Sequence, residues 1–388
     1  MEHTALLLFS LIRYELTGAP LPDGNREPLT EDVLEQLFTL ADKHDLAHLV
    51  GEALGRSNGL PKDSPAAEKF QRAQMVALYR YTRLEQERKR IYQVLNEAEI
   101  PFVPLKGILI RPFYPQPYLR TSCDIDILIH REDVERATER LTDALNYQTD
   151  HQAHYHDVSL FSPGGIHLEL HFSIRENMER LDRLLAQVWS HVVPLADGQF
   201  EYRQTPEFFM FHQIAHMAYH FFGGGCGIRP LMDLYLLRQK LSFDETALRD
   251  MCEACEIGTF YERVKELSDV WFEGRVHHET TLRMQAYILF GGVYGSMDNS
   301  VAVKQQIHGG KGSYLLHRIF MPYHTLKIKY PILNRHKWLY PVMTVRRWFS
   351  LLSPERRRRA SLELKKNASL SEEKRQSTTS LLAELGLL

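Results

Sequence analysis

The chain has 388 residues, 44% of them hydrophobic and 25% charged, values that fit a globular protein and argue against a disordered one. Its net charge is −2. The segment from Lys304 to Lys366 nevertheless holds fifteen Lys/Arg against two Glu, a local +13 that leaves −15 for the remainder. No stretch approaches the roughly 18 uninterrupted apolar residues of a membrane-crossing helix. The opening run MEHTALLLFSLIRYE lacks the positive start and small-residue cleavage site of a signal peptide.

In chain order, residues 1 to about 98 read as helical. Thr30-Glu31-Asp32-Val33 has the form of a helix start, with acids in the first turn. After a Pro/Gly/Ser-rich break at 57–65, a second helix is expected from about Ala66 to Ala98, its apolar series being Met75, Leu78, Tyr79, Leu84, Ile91 and Leu95. Prolines at 101 and 104 make Ile100–Leu105 extended, and Lys106-Gly107 ends that run. A brief helix over 108–115 precedes the stop at Tyr114-Pro115-Gln116-Pro117.

Residues 124–129 alternate as a strand, Glu132–Leu145 as a helix, and Val158–Phe161 and Ile166–Phe172 as strands joined by the turn Pro163-Gly164-Gly165. Helices follow near 206–222, 228–240, 244–256, 259–272 and 279–295. The plan is an α/β (α+β) chain. A helical region over 1–98 and a small mixed-sheet catalytic core over 99–203 are followed by a helical region over 204–300 that closes the site. A basic, aromatic-rich region over 301–388 ends the chain.

The strongest chemical signal is Ser122-Cys123-Asp124-Ile125-Asp126-Ile127-Leu128-Ile129. Residues two apart on a strand share a face, so Asp124 and Asp126 lie together while Ile125, Ile127 and Ile129 enter a core. Paired carboxylates repel unless a cation lies between them, and hard divalent ions take that oxygen arrangement. In His167-Leu168-Glu169-Leu170-His171, Glu169 shares a face with both histidines, and a neighbouring strand would bring it beside the two aspartates.

Lys106 can meet a triphosphate as a point cation, and Gly107 lets the backbone approach a phosphate closely. Arg120 lies four residues before Asp124 and can reach a phosphate or form a surface ion pair. Of the 19 histidines, His151, His154 and His156 cluster before a strand, and His212, His216 and His220 recur on one helix face. The sequence around His212 and His216 lacks the glutamate of a zinc protease, which favours packing roles, with His216 within reach of the site. Asp233 is placed to pair with Arg229 along a helix. Cys252 and Cys255 fit one helix face without a second pair to complete a metal site, and the four cysteines suit a reducing cytoplasm.

The residues Pro104-Leu105-Lys106-Gly107, Tyr114, Pro117, Arg120, Asp124-Ile125-Asp126 and Leu168-Glu169-Leu170-His171 resemble a nucleotidyltransferase family of the polymerase-β-type superfold. A weaker likeness runs through Phe211-His212, His216 and Arg229-Pro230-Leu231-Met232-Asp233-Leu234. The resemblance implies a magnesium-dependent enzyme with two ions held by Asp124, Asp126 and Glu169, Mn²⁺ being an alternative. Its substrate would be a nucleoside triphosphate such as ATP. The chain departs from the superfold where Gly-Ser or Gly-Gly usually follows the first strand; here it is Lys106-Gly107, then Ile108.

The expected reaction moves NMP from NTP to a hydroxyl or phosphate of a small molecule, sugar or peptide. The alternatives are a silent nucleotide-binding scaffold and an RNA-directed transferase. The acidic bulk of residues 1–303 disfavours nucleic acid. The tail mixes cations with Trp338, Tyr340, Trp348 and Phe349, followed by Leu351, Leu352 and Arg356 to Arg359. Two readings stand for it: peripheral contact with an anionic membrane through 338–359, or packing on the catalytic core with the arginines in water.

Overall fold

A computed structural model describes residues 2–21, 29–61, 63–150, 156–349 and 353–388. The chain forms two compact units, one of Met1–Met217 with Ile228–Leu282, the other of Ala218–Gly227 with Arg283–Leu388.

The first unit is built on a five-stranded mixed sheet. Its strands are β1 (Phe102–Pro104), β2 (Asp124–Ile129), β3 (Gln148–Thr149), β4 (Asp157–Phe161) and β5 (His167–His171), in the spatial order β1-β2-β5-β4-β3. Only β2 and β5 run parallel. The turn expected at 163–165 joins β4 to β5 as an antiparallel pair, with Gly165 at φ +79°, a conformation that a side chain would strain. A smaller hairpin, β6 (Val192–Pro194) with β7 (Tyr202–Gln204), was not expected. Its strands are three residues long, too short for alternation to register.

Period-two alternation splits the sheet into two chemical faces. Ile125, Ile127, Ile129, Leu160, Leu168 and Leu170 point to one side and are fully buried. They pack against Leu84, Ile91 and Leu95 of the helix Pro65–Glu97 and against Ala137 and Leu141 of the helix Val134–Leu145. Each such side chain withdrawn from water is worth about 1.5–3 kcal/mol, so this layer fixes which face the intervening residues must occupy. A register slip of one residue would exchange the faces.

The helix Pro65–Glu97 departs from its expected packing. Leu84, Ile91 and Leu95 are buried, but Met75, Leu78 and Tyr79 are 70%, 50% and 61% exposed. Thirty-three residues span about 50 Å. The C-terminal half covers the sheet and Phe70, near the other end, is buried, while the turns between present apolar side chains to water.

The second unit is helical, with helices Glu279–Gly291, Met297–Ile307, Lys311–Ile319, Tyr323–Lys329, Tyr340–Phe349, Pro354–Ser369 and Glu372–Glu384 at its C-terminal side. No helix among the described residues is long and apolar enough to cross a membrane.

Candidate active site

The polar face of the sheet gathers the carboxylates. The parallel register sets Asp124 opposite His167, Asp126 opposite Glu169 and Leu128 opposite His171. Two overlapping groups result, Asp124–His167–Glu169 and Asp126–Glu169–His171, and within each the ligand atoms lie within 4.8 Å of one another. Glu169 belongs to both. Asp126 is buried at 6% exposure, whereas Asp124 and Glu169 are half-buried and reach toward solvent.

Two cations answer the carboxylates. Lys106 Nζ lies 3.4 Å from Asp126 Oδ1. His171 Nε2 lies 2.9 Å from Asp126 Oδ1 and 3.1 Å from Glu169 Oε2. Burial opposes a charge on His171, but its hydrogen bonds to Asp126 and Glu169 outweigh burial and push the imidazole up to about 9. Burial likewise opposes ionisation of Asp126, yet the Lys106 cation and the His171 hydrogen bond hold it well below the usual carboxylate range. Asp124 goes the other way, raised by burial and then by the charges of Asp126 and Glu169. Lys106 is raised, because the three carboxylates outweigh its own desolvation. The two aspartates of one motif are therefore unlike: Asp126 is answered by Lys106 and His171, whereas at Asp124 burial and the neighbouring carboxylates outweigh the cations.

Lys106 and Gly107 stand at the β1 exit. The Leu105 amide donates to the Asp126 carbonyl at 3.0 Å, which ties this turn to β2. A Cβ on Gly107 would lie 2.7 Å from Arg120 Nη1. The close approach that glycine permits here is thus made by Arg120. That side chain is 12% exposed and turned to Asp233, with Nη2 to Oδ2 at 2.8 Å and Nε to Oδ1 at 3.2 Å. Tyr114 donates to the same carboxylate at 2.7 Å. Arg229, expected to pair with Asp233 along the helix, instead reaches Asp45, which also accepts from Thr121 Oγ1 at 2.9 Å. Asp124, Asp126, Glu169 and Lys106 are brought together, Gly107 adjoins them, and Arg120 is engaged beneath the turn.

Several neighbours escaped the sequence reading. Asp157 and Ser159 of β4 lie opposite His171 and Glu169 in register and extend the polar face. Their signal was the alternation of Asp157 and Ser159 with the apolar Val158 and Leu160, the same device as in β2. Glu176 accepts a hydrogen bond from His216 Nδ1 at 2.5 Å, and only the fold brings these two together. His212 is buried beside Gln204. Burial, then the charges of His216 and Lys106, hold it down to about 3, so it is a neutral packing residue. Cys252 and Cys255 are buried free thiols. His151 and His154 lie outside the described residues.

A family model of uncharacterised nucleotidyltransferases matches residues 31–273. The chain belongs to this family. The matched span holds every residue of the carboxylate cluster and ends before the basic C-terminal segment. No curated protein and no solved structure matches the chain. Membership makes the protein an enzyme of the nucleotidyl-transfer class.

Proposed function

We propose that the protein is a divalent-metal-dependent nucleotidyltransferase that moves NMP from an NTP, such as ATP, to a hydroxyl or phosphate of a small molecule, sugar or peptide, releasing pyrophosphate. The observation that carries this reading is the β2–β5 register, which sets Glu169 beside both aspartates. The donor set fits two ions. Five carboxylate and imidazole side chains form two groups that share Glu169, as a two-metal site would require. The carboxylates suit Mg²⁺ and Mn²⁺ alike, and the imidazole of His167 adds a nitrogen donor beside them. His167 Nε2 is buried without a hydrogen-bond partner, consistent with a position at the edge of such a centre.

Bound ions would activate the attacking hydroxyl and neutralise the leaving pyrophosphate. The protein's own share is positional. Asp124 and Asp126 would hold the ions on a rigid strand, and Glu169, common to both groups, would complete the carboxylate set. Lys106 faces the triphosphate as a cation. Gly107 lets Arg120 pack against the turn, and Arg120 supports that turn through Asp233. The acidic surroundings of this unit do not favour a nucleic-acid acceptor.

Pyrophosphate release should be measured with each NTP, with Mg²⁺ or Mn²⁺, and with a panel of hydroxyl and phosphate acceptors, the products being weighed by mass spectrometry. Metal-dependent release that vanishes in Asp124→Asn supports the reading. Nucleotide binding with no release from any acceptor pool, cell extract included, overturns it in favour of a silent scaffold.

The free thiols fit a reducing cytoplasm, and the tail suggests a peripheral membrane contact. Trp338, Val342, Val345 and Phe349 are 73%, 53%, 43% and 63% exposed beside exposed Lys337 and Arg346, the mix an anionic bilayer surface takes up. Ser350, Leu351 and Leu352 lie outside the described residues. Cosedimentation with anionic vesicles at low and high salt tests this. Protein that stays in the supernatant at low salt overturns it.

A further inference from the structure

The second unit contains a cavity of 960 Å³, a size suited to an organic ligand rather than to a bare ion. Its lining is charged in one part and apolar in another. The charged part comprises Lys304, Arg318, Lys329 and Arg347 with one carboxylate, Glu363. Glu363 accepts from the Tyr314 hydroxyl, from Lys304 Nζ at 3.2 Å and from Arg318 Nη2 at 2.7 Å. It therefore clamps two cations side by side. Arg347 is buried next to them, and its guanidinium donates to the carbonyls of Ile319 at 3.2 Å and Arg318 at 2.7 Å. Burial and the Arg318 charge hold Arg347 below the usual guanidinium range. Cations gathered in a concave, partly desolvated place form an anion site, and guanidinium groups match phosphate oxygens in geometry.

The apolar part runs from the interior to the mouth. Met297, Val301, Leu315, Ile319 and Leu364 line the cavity, and of these Leu315, Ile319 and Leu364 remain 36%, 39% and 42% exposed. Beyond the lining, Leu316, Phe320 and Phe349 are 61%, 56% and 63% exposed. Phe320 meets Trp348, itself a lining residue, edge to face with centroids 5.8 Å apart. A nucleotide or sugar phosphate would leave this rim in water. A phosphate carrying acyl chains would cover it.

We propose that this cavity binds the phosphate headgroup of an anionic lipid, with the lipid's acyl chains lying against the Leu316–Phe320–Phe349 rim. The inference deepens the membrane contact proposed above and does not depend on the nucleotidyl-transfer reading. Whether the source is a lipid or free phosphate is decided by calorimetry on the full-length protein. Dihexanoyl phosphatidic acid, dihexanoyl phosphatidylcholine and inorganic phosphate are each titrated below any micelle concentration. Phosphatidic acid should bind at one site per chain, about tenfold or more tighter than inorganic phosphate because of the added apolar burial. Phosphatidylcholine, whose choline cancels the charge, should bind weakly.

Two variants locate the site. Lys329→Gln removes one lining cation from an exposed position, and Ala360→Phe fills the cavity from its helical wall. Each should weaken phosphatidic acid binding about tenfold with an unchanged melting temperature. If one variant misfolds, the other still decides. Absence of phosphatidic acid binding, affinity no better than that of inorganic phosphate, or affinity unchanged in a folded variant would overturn the proposal. Protein that sediments with phosphatidylglycerol vesicles yet binds no phosphatidic acid also overturns it, while sparing the membrane contact.

Discussion

The two units arrange charge in opposite ways. On the β2–β5 face three carboxylates surround Lys106 and His171, and the buried Asp126 is the group that both cations reach. In the C-terminal unit Lys304 and Arg318 pair with Glu363, and Lys329 and Arg347 line the same cavity. In each place the minority charge holds the majority together, and the residue at the centre is the one whose ionisation is driven furthest. Asp126 and Glu363 are both held below the ordinary carboxylate range. The difference lies in which residues stay exposed: Lys329 beside the pairs that Glu363 makes with Lys304 and Arg318, and Asp124 and Glu169 on the sheet face, whose half-exposed oxygens can take ions from solution.

The largest expected effect tests that availability. Asp124→Asn and Asp126→Asn should each lower turnover by about a thousandfold, since a metal centre supplies several kcal/mol to the transition state. Their stabilities should diverge. Asp124→Asn removes repulsion and should leave unfolding free energy equal or higher, whereas Asp126→Asn strips partners from Lys106 and His171 and should cost about 1–3 kcal/mol. Urea denaturation of both variants reads the divergence, and equal shifts would break the distinction between the two aspartates.

Next in size, Glu169→Gln should cut the rate about a hundredfold while nucleotide still binds. Matched losses of rate and binding would make Glu169 a structural residue.

A smaller effect is expected at the opposite pole. Glu363→Gln should destabilise the second unit by about 2 kcal/mol, because two cations and the Tyr314 hydroxyl lose a charged acceptor. The sign with pH follows from a carboxyl pulled down to about 2 by the Tyr314 hydrogen bond and the Lys304 and Arg318 charges, which outweigh burial. Its contribution is present above the unfolded value, near 4.5, and is lost as pH falls toward about 2. Acid unfolding followed by circular dichroism should show this loss in the wild type and not in Glu363→Gln. An effect of similar size is expected for Lys106→Ala, which should weaken NTP binding by about 1.5–3 kcal/mol. Unchanged affinity by calorimetry would assign Lys106 to the carboxylates alone.

Much of the carboxylate face was legible because a strand's period of two is short-range. Ile125, Ile127 and Ile129 declare their side, and Asp124 and Asp126 must then take the other; the same logic placed Glu169 between Leu168 and Leu170. What alternation cannot give is pairing partners across long sequence gaps. Asp233 answers Arg120 across 113 residues and Arg229 answers Asp45 across 184, so a local helix rule assigned the wrong partner. Glu176 with His216 is of the same kind. The exposed Met75, Leu78 and Tyr79 illustrate a further limit. A helical apolar period states that a face exists, not that something covers it along its whole length.

Lys106 has a backbone φ of +50°, in the left-handed region where a side chain costs about 1–2 kcal/mol and glycine costs little. This protein holds a charged residue in a glycine's posture at that turn. In the proposed reading, the turn exchanges stability for a nucleotide contact at a single position. Lys106→Gly should yield a protein more resistant to urea than Lys106→Ala, although both lack the ammonium and lose the same nucleotide affinity. A laboratory selection for heat resistance alone would drift toward glycine there, and one for activity would hold the lysine.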